Sequence, residues 1–322
     1  MRTRSDAKTA GDRGAFTDVA IRPDGARGAR GGRAERLAAF VKLTKPRIIL
    51  LLLVTTVPAM ILAARGLPSL WLIVATLAGG TIAAGGANAT NQYLDRDIDE
   101  IMSRTRDRPL PRHVIQPRRA LLFGLALSAL GFGFLALTVN LLAASLAVGA
   151  IAFYVLVYTM WLKRRSPQNI VVGGAAGAVP VLVGWAAVTG TVGWPAVVLF
   201  AIVFMWTPPH FWALSLRFRG DYAAAGVPML PVVAGPDRTS RQIVLYAVLL
   251  AATTLVLVPV DRMGVVYTAS AVLLGGAFMW RAVRVRRTGT AAAAMELFRW
   301  SIGYLALLFL AIAVDTVVRY GV

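Results

Sequence analysis

The sequence predicts an all-α integral membrane protein: a bundle of nine transmembrane helices, amino terminus cytoplasmic, with polar loops after helices 2 and 6 lying over one cavity. Three observations carry this. Hydrophobic residues fill 57% of the 322 positions and charged residues 15%, yet the net charge is +19, so apolar residues and charges occupy different stretches. The apolar stretches are continuous rather than alternating and run close to the roughly 20 residues that a helix needs to cross the hydrocarbon core, which selects helices over barrel strands. The basic residues fall almost wholly in alternate connections, as the positive-inside rule requires.

In order along the chain, residues 1–40 read as a disordered basic cytoplasmic tail. Its run Gly25-Ala26-Arg27-Gly28-Ala29-Arg30-Gly31-Gly32-Arg33 holds no apolar stretch of signal-peptide length. Residues 41–322 form one transmembrane domain, with spans expected near 47–64, 69–94, 119–138, 142–162, 169–189, 194–216, 242–260, 264–281 and 298–318. With the amino terminus inside, 31 of the 34 Lys and Arg residues sit on cytoplasmic segments, and only Arg65, Arg262 and Arg319 fall outside. The same distribution argues against a nucleic-acid partner despite a pI near 11.4, because the charges are spread between spans rather than collected on a soluble face. The absence of cysteine excludes disulfides, iron–sulfur clusters, thiolate zinc sites and a covalent haem tether.

Chemistry concentrates in the cytoplasmic connections. The second span runs into Asn91-Gln92-Tyr93-Leu94-Asp95-Arg96-Asp97-Ile98-Asp99-Glu100. On a continuing helix, Asn91, Asp95 and Asp99 share one face at steps of about 6 Å. Two carboxylates and an amide so placed offer hard oxygen ligands to Mg²⁺, with substrate phosphate and water completing the shell. Asp97 and Glu100 face the other way and read as a solvated helix end. Arg104, Arg106 and Arg108 follow, fit either to touch phosphate or simply to hold the loop inside.

A second constellation closes the sixth span on the same side. It comprises Trp206-Thr207-Pro208-Pro209-His210-Phe211-Trp212, then Asp221-Tyr222 and Gly226-Val227-Pro228-Met229-Leu230-Pro231. Pro208 and Pro209 lack amide protons and are expected to interrupt the helix, placing His210 directly after a break of the kind that lines enclosed cavities. Lys163 and Arg164, which follow Tyr154 and Tyr158 at the end of the fourth span, read first as signals of topology, and a lysine at that depth also offers a clamp for a diphosphate.

Together these segments resemble the UbiA superfamily of intramembrane prenyltransferases. The Asn91-x-x-x-Asp95-x-x-x-Asp99 motif carries the superfamily likeness. Leu43-Thr44-Lys45-Pro46-Arg47, Ser166-Pro167-Gln168-Asn169-Ile170, Thr207-Pro208-Pro209-His210-Phe211-Trp212 and Asp221-Tyr222 point to its haem-modifying branch. The resemblance implies Mg²⁺-dependent transfer of a farnesyl group from farnesyl diphosphate to a vinyl group of haem b, which is substrate rather than prosthetic group. Asn91, Asp95 and Asp99 would hold the metal. Asp221 would join the catalytic set, and Lys163, Arg164, Arg104, Arg106, Arg108, Tyr158, Tyr222 and His210 would bind the two substrates. It also implies a multi-pass protein of the plasma membrane whose active site faces the cytoplasm, with haem-modifying or oxidase-assembly proteins downstream.

The sequence departs from the superfamily at one point: the second loop carries Asp221 alone where a pair of aspartates is usual. That leaves open one or two metals, and Asp221 could instead orient an arginine or Lys163. Two rival readings share the same features. One is a UbiA-type enzyme acting on an aromatic or quinone precursor, and the other is a membrane transporter or haem-binding protein without catalysis.

Overall fold

A computed structural model describes residues 32–321. Most of the expected tail, residues 1–31, lies outside the described residues. Its last part does not: α1 (Arg33–Thr44) is already helical. There follow α2 (Pro46–Ala64), α3 (Leu70–Leu94), α4 (Arg96–Ile101), α5 (Pro117–Thr138), α6 (Leu141–Arg165), α7 (Asn169–Thr189), α8 (Trp194–Arg217), α9 (Arg219–Ala224), α10 (Leu230–Val233), α11 (Gly235–Asp261), α12 (Val265–Thr288) and α13 (Ala291–Tyr320). No strand occurs among the described residues.

Eight of these helices, α3, α5 to α8 and α11 to α13, are long and apolar enough to cross a membrane. A ninth span is reached only by counting α1 and α2 as one segment bent by 51°. Ser69 and Asn140 cap α3 and α6 by accepting from the amides of Leu72 and Ala143, at 3.3 and 2.8 Å. Helix α11 extends beyond its expected span at its start, α12 at its end and α13 at its start. There Arg284 of α12 pairs with Glu296 of α13 at 2.8 Å. Hydropathy marks where a helix leaves hydrocarbon, whereas the backbone ladder continues wherever side chains can pair in water.

Packing depends on small residues where helices meet closely. A Cβ on Gly124 of α5 would sit 2.5 Å from Thr90 Oγ1 of α3, and one on Gly131 would sit 2.7 Å from the Ala83 amide. The α3–α5 pair therefore approaches backbone to backbone, leaving the polar end of α3 free to face α1, α2 and α6. The largest apolar core surrounds α8 and draws Trp206, Trp212, Tyr267, Phe278, Tyr304 and Phe309 from α8, α12 and α13.

The expected break at Pro208-Pro209 is not present. Helix α8 runs unbroken from Trp194 to Arg217, and His210 lies inside it, buried. Prolines do remove the amides that would reach the carbonyls of Phe204 and Met205. Inside a bundle, however, packing against neighbouring helices can carry a helix past such a gap, and Thr207 Oγ1 donates to Val203 O at 2.9 Å in the turn just before it.

Candidate active site

Helix α3 ends at Leu94, and Asp95 leaves helical geometry with φ −91° and ψ 4° before α4 begins. The turn is slight, because Asp95 N still bonds Asn91 O at 2.9 Å and Asp99 N bonds Asp95 O at 2.8 Å. The i, i+4, i+8 face therefore survives: Asn91, Asp95 and Asp99 are all at least 97% buried. Asp97 turns outward with a 60% exposed side chain.

Three cations from three parts of the chain converge on this face. Lys163 Nζ of α6 lies 2.5 Å from Asp95 Oδ2, and Arg108 Nη1 lies 2.6 Å from Asp99 Oδ2. Lys45 Nζ donates to Asn91 Oδ1 at 2.9 Å. Asn91 in turn donates through Nδ2 to Asp95 Oδ2 at 2.8 Å and to Thr159 Oγ1 at 3.2 Å.

Local backbone features explain how these groups arrive. Residues 153–162 of α6 wind as a π-helix, in which Thr159 Oγ1 donates to Tyr154 O, five residues back, at 2.8 Å. Such widened turns are rare and recur at functional sites. Here the widened stretch carries Thr159 toward Asn91 and leads directly into Lys163. Lys45 occupies the junction between α1 and α2 in a left-handed conformation, φ 54°, which is uncommon for a residue with a side chain. The junction is held from α3: Asn88 Nδ2 donates to Thr44 O at 2.9 Å and Gln92 Nε2 to Leu43 O at 2.7 Å, satisfying carbonyls that the end of α1 leaves open.

The remaining sequence candidates are distributed more widely. Arg164 turns away from the cluster and grips Asp97 with both Nη atoms at 2.7 Å, also donating to Leu94 O at 2.9 Å. That bidentate contact holds the Asp97 carboxyl at about 2, well below its ordinary value. Arg104 and Arg106 are exposed and form no ion pair among the described residues. Tyr158 stacks on Tyr154 with ring centroids 5.5 Å apart and lies over Gly173 of α7.

The loop after α4 and the segment after α8 meet. Tyr222 and Met229 pack with Ile98, Met102 and Ile170 in one apolar cluster, and Ser103 Oγ donates to Asp221 Oδ2 at 2.5 Å. Asp221 pairs with no arginine or lysine among the described residues, so it ties loop to loop instead of orienting Lys163. His210 lies in α8 against α13, its Nδ1 2.6 Å from Ser301 Oγ.

Two participants were missed as site residues in the sequence. Lys45 stands in a quoted motif, and its signal was the Lys-Pro step, which puts a cation at a helix start. Thr159 had no signal, since a π-helical stretch leaves no periodicity that reading by 3.6 would catch. Asn169, also in a quoted motif, is fully buried with neither amide atom partnered.

The donors fit a divalent cation. Asp95 Oδ1 is buried and accepts no hydrogen bond, although Asp95 Oδ2 is shared by Lys163 and Asn91. An unpaired carboxylate oxygen in a buried site is costly unless something positive takes it up. No group of three His, Cys, Asp or Glu side chains gathers anywhere among the described residues. Two carboxylates and an amide would leave most of a divalent cation's shell to water and to a bound phosphate.

Known proteins share both sequence and fold. The model of the UbiA prenyltransferase family matches residues 52–303. A protoheme IX farnesyltransferase of Parafrankia sp. is 56% identical over 290 residues, 89% of this chain and 93% of that protein. Protoheme IX farnesyltransferase 1 of Saccharopolyspora erythraea is 58% identical over 285 residues, 88% of this chain and 91% of that protein. Among solved structures, the apo form of a UbiA homologue from Aeropyrum pernix superposes with a TM-score of 0.65 at 20% identity, covering 84% of this chain and 98% of its own. A UbiA homologue from Archaeoglobus fulgidus bound to GPP and Mg²⁺ gives 0.58 at 16% identity, covering 85% and 99%.

Proposed function

The chain belongs to the UbiA prenyltransferase family, and from that premise we propose that it transfers a farnesyl group from farnesyl diphosphate to a vinyl group of haem b, using the acidic face of α3 and α4 at the cytoplasmic surface. It is a multi-pass membrane enzyme, and its close relatives are protoheme IX farnesyltransferases. The observation that carries the site assignment is the buried, unpartnered Asp95 Oδ1 beside Asn91 and Asp99.

Asn91, Asp95 and Asp99 would hold Mg²⁺. When bound, Mg²⁺ supplies charge neutralisation on the diphosphate leaving group. The protein's own cations act in the same direction. Lys163, Arg108 and Lys45 already stand within hydrogen-bond reach of the acidic face and exchange carboxylate or amide for phosphate oxygens, stabilising the charge that grows as the C–O bond ionises. The allylic cation left behind takes the π electrons of the vinyl group, forming a C–C bond. The new cation beside the porphyrin captures water and releases a proton, leaving a hydroxyethylfarnesyl substituent. Enclosure between helices keeps water from the first cation.

The cytoplasmic orientation rests on 31 of 34 basic residues falling on one side when the first span is counted from residue 47 to 64. Counted so, the helices number nine and the protein sits in the plasma membrane with both loops inside. The test is mass spectrometry of haem extracted after incubating purified protein with haem b, Mg²⁺ and farnesyl diphosphate. A product heavier by a farnesyl group plus a hydroxyl is expected, and chelation should abolish it. Unchanged haem beside a prenylated hydroxybenzoate would overturn the acceptor assignment.

A further inference from the structure

His210 is held by more contacts than packing requires. Its ring stacks on Trp206 with centroids 4.3 Å apart and planes at 18°, and on Phe298 at 4.6 Å and 24°. This sandwich fixes the plane of the imidazole. Its Nδ1 lies 2.6 Å from Ser301 Oγ, and Ser301 Oγ lies 2.7 Å from Phe298 O.

A hydroxyl has one proton to give. The carbonyl of Phe298 can only accept, so at 2.7 Å the serine proton belongs there. Were it turned to the histidine instead, two bare oxygens would face each other at that distance. With its proton committed, Ser301 Oγ can only accept from the ring, so Nδ1 carries the hydrogen and Nε2 keeps a lone pair. Nε2 has no hydrogen-bond partner among the described residues. The backbone of Ser301 adds a separate tie, accepting from Trp206 Nε1 at 2.8 Å. One residue of α13 therefore fixes both the sandwich and the tautomer.

We propose that Ser301 is a positioning residue: its hydroxyl holds His210 as the Nδ1–H tautomer, so that Nε2 offers its lone pair to the iron of the haem substrate. This deepens the haem assignment above and rests on it. The chain has no cysteine, and its other histidine, His113, is exposed in the loop after α4. His210 is thus the strongest axial ligand the helical bundle can present. A metal-binding histidine commonly spends its other ring nitrogen on a fixed acceptor, which sets the tautomer and aims the ring.

The experiment is titration of haem b into the purified full-length chain, read by the Soret band and by the iron–histidine stretch in resonance Raman of the ferrous form. Ser301→Ala keeps the backbone carbonyl that binds Trp206 and removes only the hydroxyl. It should weaken haem binding by about tenfold or more, the usual range for losing such a support, and shift or broaden the iron–histidine band. Farnesyl diphosphate affinity should stay within about twofold, because that substrate is held by charged groups on other helices. Ser301→Thr, which keeps an acceptor and donor, should restore the wild-type spectrum. Should the alanine variant fail to fold, Ser301→Cys is read in its place and should show the same shift, since sulfur accepts weakly.

A wild-type spectrum and haem affinity in Ser301→Ala would overturn the proposal. If His210→Ala keeps the band while haem is still farnesylated, the histidine does not meet the iron and the proposal falls with the transferase reading intact. If wild-type protein yields no farnesylated haem at all, that reading fails first.

Discussion

The two ends of the bundle each bury acidic side chains beside arginine or lysine, and they solve the problem of buried charge differently. At one end, Asp315 of α13 accepts from the amides of Gly264 and Tyr267 at 2.8 and 3.1 Å, capping the start of α12, with Arg319 Nε 3.0 Å away. Arg319 itself donates to the carbonyls of Asp261 and Arg262, both at 2.8 Å. Each carboxylate oxygen of Asp315 has a backbone donor that never leaves. At the other end, Asp95 and Asp99 are held by the long side chains of Lys163 and Arg108, and one oxygen of Asp95 has no partner among the described residues. Backbone satisfaction marks a structural latch. Side-chain satisfaction that leaves one buried oxygen unpaired suits a site whose partners can be exchanged for substrate.

Substituting one acid at each end sharpens this contrast most. Asp95→Asn or Asp99→Asn should cost about 1,000-fold in turnover, on the scale of losing a main electrostatic element of an active site. Melting in detergent should change little, since a neutral amide still fills the space. Asp315→Ala should behave in the opposite way. It leaves the amides of Gly264 and Tyr267 without their acceptor, costing roughly 1–3 kcal/mol for each buried donor, while Arg319 keeps Asp261 and turnover per folded molecule stays at the wild-type value. Equal loss of activity in folded Asp315→Ala protein would erase the distinction.

Arginine variants of the first loop give a middle-sized test. Arg108 touches Asp99 from a half-buried position, whereas Arg104 is exposed and unpaired among the described residues. Arg108→Ala should raise KM for farnesyl diphosphate by about tenfold, the worth of one charge-assisted contact. Arg104→Ala should change it by less than about twofold, as expected of an exposed charge. Reversal of that order in steady-state kinetics would mean that the loop reorganises around substrate and that the paired arginine is merely structural.

How much of this was legible in the sequence depends on which physical signal each residue leaves. The spans were readable because burial in lipid demands continuous apolar runs, and the expected 69–94 and 169–189 nearly coincide with α3 and α7. The Asn91, Asp95, Asp99 face was readable because the 3.6-residue repeat survives the slight turn at Asp95. The partners of those residues were less so. Lys163 was singled out because it is a lysine at a span end, but Arg164 beside it has the same signal and points outward to Asp97, as adjacent residues on a helix lie about 100° apart around its axis. Lys45 reaches Asn91 only because α1 and α2 meet at a left-handed residue, and nothing in a lysine announces that backbone. Pro208 and Pro209 were read by the rule for water-exposed helices, which a tightly packed helix among its neighbours does not obey.

The smallest expected effect belongs to the outward-facing acid, and its sign follows from its environment. Asp97 lies between Asp95 and Asp99 in sequence, outside the spans, and its carboxyl is held at about 2 against an ordinary 3.8, chiefly by the hydrogen bonds from Arg164. A carboxylate lowered in the folded state contributes stability that is fully present above its unfolded value and disappears as pH falls through the folded one. The Asp97–Arg164 contribution should therefore be constant from neutral pH down to the ordinary carboxylate value and fade between there and about 2. Because the pair is exposed, solvent screens it, and the whole effect should be well under the roughly 1 kcal/mol typical of surface ion pairs. Melting curves of wild type and Asp97→Asn in detergent should differ slightly near neutral pH and converge on acidification, with turnover within about twofold at neutral pH, as for other exposed substitutions. A collapse of activity in Asp97→Asn matching that of Asp95→Asn would mean that the outward face of α4 takes part in substrate binding, and would undo the separation between a site acid and its neighbour on the same turn.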